Sequence, residues 1–196
     1  MPDKNLYIIA GCNGAGKTTA SFTILPEMLD CREFVNADEI ARGLSPFQPD
    51  TVAMEAGRIM LNRLDYLLTK GNTFALETTL ATKIYQQRIR AAQQQGYTTT
   101  LLYFWLSSPD LAQARVKTRV AEGGHYIAPE VIERRYLQGL RLLFDAYLPL
   151  VDEAWLFDNS YGEHVLIAQK LVGGFGISND TLYQQLKKQY ESAKAA

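Results

Sequence analysis

The sequence predicts an α/β fold of three layers, with a mainly parallel sheet of five or six strands between helices. Two observations predict it. Short apolar runs alternate with helical patterns along the chain, which is the pattern of βαβ units with right-handed crossovers. The first run, residues 6–10, feeds a glycine-rich loop that opens a helix. The 196 residues are 47% hydrophobic and 21% charged, which suits a single globular domain with a sizeable core.

Each element follows in order. Residues 6–10 are a short buried strand. Gly11-Cys12-Asn13-Gly14-Ala15-Gly16-Lys17-Thr18 then fits the phosphate-loop pattern G-x-x-x-x-G-K-[ST]. The helix after it runs until Pro26 disturbs the pattern. Residues 33–36 form a second short strand that runs straight into Ala37-Asp38-Glu39. A breaker-rich loop over 43–49 leads to Asp50, the expected N-cap of a helix ending near Lys70, with Gly71 at C′. Ala53, Ala56, Met60, Leu64, Leu67 and Leu68 form its apolar stripe.

The third strand, 73–79, ends in polar residues, and a helix over 83–95 closes at Gly96. The fourth strand, 99–106, is the most apolar. Ser108 and Pro109 start the next helix as N-cap and first residue. Arg115 and Arg119 lie one turn apart on its face, and residues 122–126 break it. A long helix runs from Pro129 to about Leu148, where Pro149 stops it. Ile132, Tyr136, Leu137, Leu140, Leu143, Phe144 and Tyr147 form its buried stripe, and Arg134 and Arg141 fall off that stripe. Residues 153–158 are a fifth strand and 165–168 a sixth. A glycine-rich turn and a terminal helix from Asn179 complete the chain, with residues 191–196 expected to fray. The whole of 1–196 reads as one domain, with a lid region at 122–136 and a C-terminal helix within 177–196.

The loop carries the chemistry. Gly11, Gly14 and Gly16 let the backbone approach a ligand closely. The loop N–H groups and the helix N-terminus favour an anion at one spot. Asn13, Ala15 and Thr19 complete the nucleotide-binding stretch. Lys17 would meet the β- and γ-phosphates and Thr18 would offer a hydroxyl to Mg²⁺, so ATP and Mg²⁺ are the expected cofactors. The fold expected is of the P-loop NTPase, nucleotide-kinase-like type. In such sheets ligands bind beyond the carboxyl ends of strands, where the loop, Asp38 and Glu77 would converge.

Asp38 suits a carboxylate that orients a hydroxyl and takes its proton; it equally suits a helix N-cap. Glu77 would hold substrate hydroxyls or a water on Mg²⁺, or stand at the surface of a strand end. Arg115, Arg119, Arg134 and Arg135 flank Gly123-Gly124 and would belong to a lid that stabilises charge on the transferring group. Otherwise they are solvated helix faces, and one or two of the four are expected to act. The fourth strand ends in Ser107-Ser108 with no Walker-B aspartate, which argues against motor and switch classes and suits small-molecule kinases.

Composition excludes other classes. A net charge of −1 gives no nucleic-acid-coating surface. His125 reads as a loop residue, His164 as a surface one, and no cluster resembles a zinc site. The aromatic residues read as core. Cys12 and Cys31 read as free thiols of a reducing compartment, with a lowered pKa hypothesised for Cys12 in the loop. The polar N-terminus and the short first apolar run suggest neither signal peptide nor membrane span, and a cytoplasmic protein.

The chain resembles the zeta-toxin family of P-loop kinases. The resemblance rests on Gly11 to Thr19, Val35-Asn36-Ala37-Asp38-Glu39-Ile40, Glu77-Thr78-Thr79, Arg115 to Val120, Gly123-Gly124-His125, Arg134-Arg135-Tyr136 and Asp158-Asn159-Ser160, over roughly residues 5 to 160. It implies a kinase that moves the γ-phosphate of ATP to a hydroxyl of a small molecule, in zeta toxins UDP-N-acetylglucosamine. It implies Asp38 as general base, Lys17 and Thr18 on phosphates and Mg²⁺, Glu77 and Thr79 on the substrate, and Arg119 with Arg134 or Arg135 as phosphate clamps. Ala81 departs from the pattern, since zeta toxins commonly carry an arginine there. An antitoxin protein is the macromolecular partner that the resemblance raises; neither membrane nor nucleic acid is expected. Another metabolite, nucleoside or polynucleotide-end kinase, or an ATP-binding regulatory module with little turnover, would share the same core.

Overall fold

The computed structural model describes residues 4–195. Its centre is one seven-stranded sheet in the order β2-β3-β1-β4-β5-β6-β7. Strand β1 (Lys4–Gly11) pairs in parallel with β3 (Phe74–Thr78) and β4 (Tyr97–Trp105). The short β2 (Phe34–Val35) extends one side in parallel, and β5 (Glu153–Asp158) extends the other. β6 (Val165–Leu171) and β7 (Gly174–Ile177) close the β5 edge as an antiparallel hairpin.

Consecutive residues of β1 and β4 are buried, including Ile8, Ile9, Leu101 and Phe104 at 1% exposure or less. A strand buried on both faces needs helices on both faces. Those are α1 (Lys17–Met28), α2 (Ala37–Leu44), α3 (Ala53–Lys70), α4 (Gln86–Gln94), α5 (Pro109–Ala121), α6 (Pro129–Leu142), α7 (Leu148–Leu150) and α8 (Asp180–Ala195). The α3 stripe buries Ala56, Met60, Leu64, Leu67 and Leu68. Each large apolar side chain so buried contributes about 1.5–3 kcal/mol.

Several expectations are corrected. The sheet has seven strands rather than five or six, because β7 was read as part of a glycine-rich turn. Its four residues are all exposed, and Gly174 and Gly176 weaken any strand signal. Helix α1 passes through Pro26 to Met28. Phe22 and Pro26 lie on its exposed face, and the Leu29 N–H bonds back to the Ile24 carbonyl, so the last turn loosens around the proline without ending there. Asp50 is not an N-cap: it sits in a 3₁₀ turn, Pro49–Val52, ahead of α3, and Ala53 is exposed outside the stripe.

The helix from Pro129 does not stop at Pro149. It passes through a π turn, Leu143–Tyr147, into α7, with Pro149 exposed in that last turn. Residues 191–195 do not fray but remain in α8 with Ala193 buried; Ala196, like Met1 to Asp3, lies outside the described residues. Helix α4 starts at Gln86 rather than Lys83, and β6 runs on to Leu171 rather than ending at 168, while two other boundaries hold. Ser108 caps α5 through a bond from the Leu111 N–H at 3.1 Å, and Gly71 closes α3 at φ 70°. No helix among the described residues is long and apolar enough to cross a membrane.

Candidate active site

The loop after β1 is fixed from behind. Gly11 has φ +145°, and a Cβ there would stand 2.3 Å from the Phe104 carbonyl oxygen on β4. Only glycine fits that approach. Gly16, the N-cap of α1, is in the left-handed region at φ 79°, and a Cβ would meet the Asn159 amide at 2.6 Å. That amide donates to the Ala15 carbonyl at 2.7 Å. Arg115 braces the same loop, with Nη2 on the Ser160 carbonyl at 2.9 Å and Nη1 on the Gly14 carbonyl at 3.5 Å. Asn159 and Arg115 therefore shape the loop from its far side.

Lys17 is 7% exposed and faces inward. Its Nζ donates to the Cys12 carbonyl at 3.0 Å and lies 3.6 Å from Glu77 Oε1. The other Glu77 oxygen accepts the Thr18 hydroxyl at 2.8 Å and the Asn36 amide at 2.9 Å. Its side chain is 9% exposed, so the reading of Glu77 as a surface residue fails. The absent acid at the end of β4 also loses its force. The other neighbour of β1, strand β3, carries its own carboxylate to the Thr18 hydroxyl.

Asn36 does two jobs that the sequence did not single out. Its amide nitrogen holds Glu77, and its Oδ1 accepts from the N–H groups of Asp38 at 2.8 Å and Glu39 at 3.4 Å, capping α2. Asp38 is therefore not the helix cap. Its carboxylate is exposed at the mouth of two clefts. The signal lay in Asn-x-Asp directly after a short strand.

One cleft, of about 490 Å³, runs over the loop along Gly14, Gly16, Thr18 and Thr19 to Arg115, Arg119 and His125. The other, of about 690 Å³, is walled by Asn36, Thr79, Ala81 and Tyr85 on one side and by α6 on the other. Both are lined by Asn13, Lys17, Ala37, Asp38, Glu77 and Arg135. Gly11 and Ala15 line neither; both are buried on the inner side of the loop.

The arginines divide between the clefts. Arg135 borders both and donates to Asn13 Oδ1 at 3.3 Å. Arg134 is exposed and borders only the larger cleft, together with Arg141, which the sequence reading left as a residue off the stripe. Arg119 Nη2 donates to the His125 carbonyl at 3.1 Å, and its Nε is buried without a hydrogen-bond partner. Gly124 packs so closely on the Arg119 backbone that a Cβ would lie 2.8 Å from its carbonyl oxygen. Residues 122–128 form the loop above the smaller cleft, and 129–136 are already α6. His125 sits in that loop and pairs with Asp50 at 3.0 Å across the cleft mouth.

The wall of the larger cleft is itself braced. Leu80, fully buried, adopts φ 61°, and its N–H donates to the Thr78 hydroxyl oxygen at 3.0 Å. Tyr147, presented by the π turn, donates to the Thr82 carbonyl at 2.5 Å. Burial raises the pKa of Tyr85, which keeps its phenol protonated beside Asp38. Burial likewise pushes the Cys12 thiol up to about 11, against the opposing pull of Lys17, so the lowered pKa hypothesised from the loop is overturned. Cys12 and Cys31 are both free and buried. His164 is exposed and lies edge-on to Phe104. No metal-holding group of three or more His, Cys, Asp or Glu occurs among the described residues.

The chain is similar to other proteins in sequence and in fold. A model of the AAA domain matches residues 6–142. An uncharacterised protein of Haemophilus influenzae is 31% identical over 138 residues, which cover 69% of this chain and 94% of its own. Among solved structures, the AvrRxo1-ORF1:-ORF2 complex with sulphate ions superposes at TM-score 0.75 and 18% identity, over 94% of this chain and 63% of that one. The same complex with ATP gives TM-score 0.73 at 18% identity, with the same coverage. This chain thus spans less than two thirds of that neighbour. A structure of the PezAT chromosomal toxin–antitoxin system of Streptococcus pneumoniae superposes at TM-score 0.65 and 13% identity, over 100% of this chain and 89% of that one. The family match covers most of the sheet and the whole phosphate loop, and on that basis the chain belongs to the AAA domain family.

Proposed function

We propose that this protein is an ATP-dependent kinase that phosphorylates a hydroxyl group of a small molecule. The observation that carries the reading is the shared wall of the two clefts. Lys17, Asp38, Glu77 and Arg135 border the phosphate loop and the neighbouring cleft at once. A donor in one cleft and an acceptor in the other would meet there, held in orientation without further search.

The chain's own residues then do the following. Lys17 leaves the Cys12 carbonyl and follows the β- and γ-phosphates. Asp38 accepts the proton of the acceptor hydroxyl as its oxygen forms a bond to the γ-phosphorus. The bond from that phosphorus to the β–γ bridging oxygen breaks, ADP leaves, and the proton passes from Asp38 to solvent. Arg119 and Arg135 stabilise charge on the transferring group. The Thr18 hydroxyl and the Glu77 carboxylate, 2.8 Å apart, are hard oxygen donors that fit Mg²⁺. Bound there, the ion supplies positive charge to the phosphate oxygens. Thr79 faces the acceptor.

Support from relatives is indirect. The AvrRxo1-ORF1:-ORF2 complex was solved with ATP, which supports ATP as the nucleotide. PezAT is a toxin–antitoxin system, so co-purification of a neutralising protein from the native host is a worthwhile companion experiment. The test of the reaction is ADP release from ATP and Mg²⁺ across a panel of hydroxyl compounds, starting with UDP-N-acetylglucosamine. An active acceptor should stimulate release in the native protein. Asp38→Asn should lower that rate by about 10²–10⁴-fold with ATP affinity nearly intact. Tight ATP binding with no acceptor-stimulated release would favour a regulatory module instead.

A further inference from the structure

We infer that the acceptor carries an anionic group of its own, a carboxylate or a phosphate, held by Arg134 and Arg141 at the end of the larger cleft away from Asp38. The inference rests on the kinase reading and adds the substrate class. Its first support is the distribution of charge along the cleft. At the end shared with the nucleotide, the carboxylates of Asp38 and Glu77 are present, and Lys17 is already paired with Glu77. Among the described residues these are the only acidic ones that line the cleft.

Helix α6 supplies the opposite sign. Arg134, Gln138 and Arg141 follow at intervals of four and three residues, so they share one helix face. All three line the cleft. Arg141 Nη2 donates to Gln138 Oε1 at 2.8 Å, which fixes the guanidinium relative to the cleft wall. Among the described residues neither Arg134 nor Arg141 has a salt bridge. Three of the other arginines do, Arg42 with Glu39, Arg63 with Glu33 and Arg88 with Asp65, but none of those three lines this cleft. The facing wall offers Thr79, Ala81, Thr82 and Tyr85, which carry no compensating charge.

An unpaired guanidinium on a concave surface is matched by a planar or tetrahedral oxyanion, which it binds through two parallel N–H bonds. A ligand with a hydroxyl at one end and an oxyanion at the other would span this cleft with both ends satisfied. A neutral polyol would leave the α6 end without a counter-charge. Arg134 thereby belongs with the acceptor, while Arg135, one residue on, turns to the phosphate loop through Asn13.

The test separates this inference from the kinase reading. With the smaller cleft filled by ADP and Mg²⁺, four probes are titrated by calorimetry: glycerol phosphate, gluconate, glycerol and glucose. At least one anion should bind saturably, and its neutral counterpart at least tenfold more weakly; the two anions tell phosphate from carboxylate. Arg134→Ala and Arg141→Ala should each weaken that anion by about tenfold to a hundredfold, the scale of a charged hydrogen bond. Arg141→Lys should recover part of the loss, and ADP affinity should not change in any variant. The inference fails if no anion saturates below roughly 10 mM, a binding free energy of about 3 kcal/mol. It also fails if both alanine variants bind the anion as the native protein does. ADP release indifferent to Asp38→Asn would count against phosphoryl transfer alone and would leave the anion-binding end intact.

Discussion

Glu77 and Thr18 are 59 residues apart in the chain and share a hydrogen bond of 2.8 Å. The pair ties the end of β3 to the first turn of α1. Glu77→Gln keeps the shape but removes the charge. It should raise the Mg²⁺ concentration needed for half-maximal ADP release by about tenfold or more, as loss of one charged ligand implies. A metal titration of turnover checks this, and an unchanged curve would remove Glu77 from the metal site. Glu77→Ala should in addition lower stability by about 1–3 kcal/mol, because Lys17 and the Asn36 amide lose their acceptor.

Lys17→Ala should weaken ATP by about tenfold to a hundredfold and remove most turnover, since the phosphates lose their nearest mobile charge. The residue is buried against Glu77, so the single variant also leaves a carboxylate without its countercharge. Adding Glu77→Gln should restore part of the lost thermal stability without restoring ATP affinity. Thermal melts beside nucleotide titrations separate the two effects.

Gly139→Ala tests how α6 is seated. A Cβ there would stand 2.5 Å from the Thr79 carbonyl oxygen. The helix and the wall after β3 must then separate, at about 1–3 kcal/mol for overpacking. The expected result is a raised KM for the acceptor with an unchanged Kd for ATP. Equal weakening of both ligands would mean that the two clefts are not independently walled.

The thiols set a pH limit. Cys12 and Cys31 are both pushed up from 9.0 to about 11 by burial. In the unfolded chain they ionise near 9, while the folded protein keeps them protonated, so stability should fall as pH rises from 9 to 11. Denaturant melts across that range check the sign. Cys12→Ala with Cys31→Ala should flatten the slope. In the folded protein, iodoacetamide at pH 8 should label both thiols far more slowly than a free cysteine of pKa about 8.5.

The strand–helix alternation and the loop were legible because both depend on local pattern: apolar runs at strand length, glycines at fixed offsets, Ser108-Pro109 at a helix start. Asp38 was legible by position, just beyond a strand. What escaped depends on contacts distant in sequence. Whether Glu77 is exposed turns on Thr18 and Asn36 reaching it. Arg141 reads only as a residue off the apolar stripe until α6 is laid against the wall after β3. The π turn that delivers Tyr147 to the Thr82 carbonyl has no compositional mark, and β7 is too short and too exposed for a period-2 signal.

The bond from Lys17 to the Cys12 carbonyl changes how nucleotide entry is to be understood. With Glu77 beside it, the ammonium is already compensated within the protein. Arrival of a polyphosphate is an exchange of partners, in which the lysine gives up a carbonyl and loosens a carboxylate as it gains the ligand. The net attraction felt from solution is therefore smaller than a count of loop charges suggests. Ionic strength should slow association only modestly. Discrimination between di- and triphosphate would come from how completely each ligand repays the two partners it displaces.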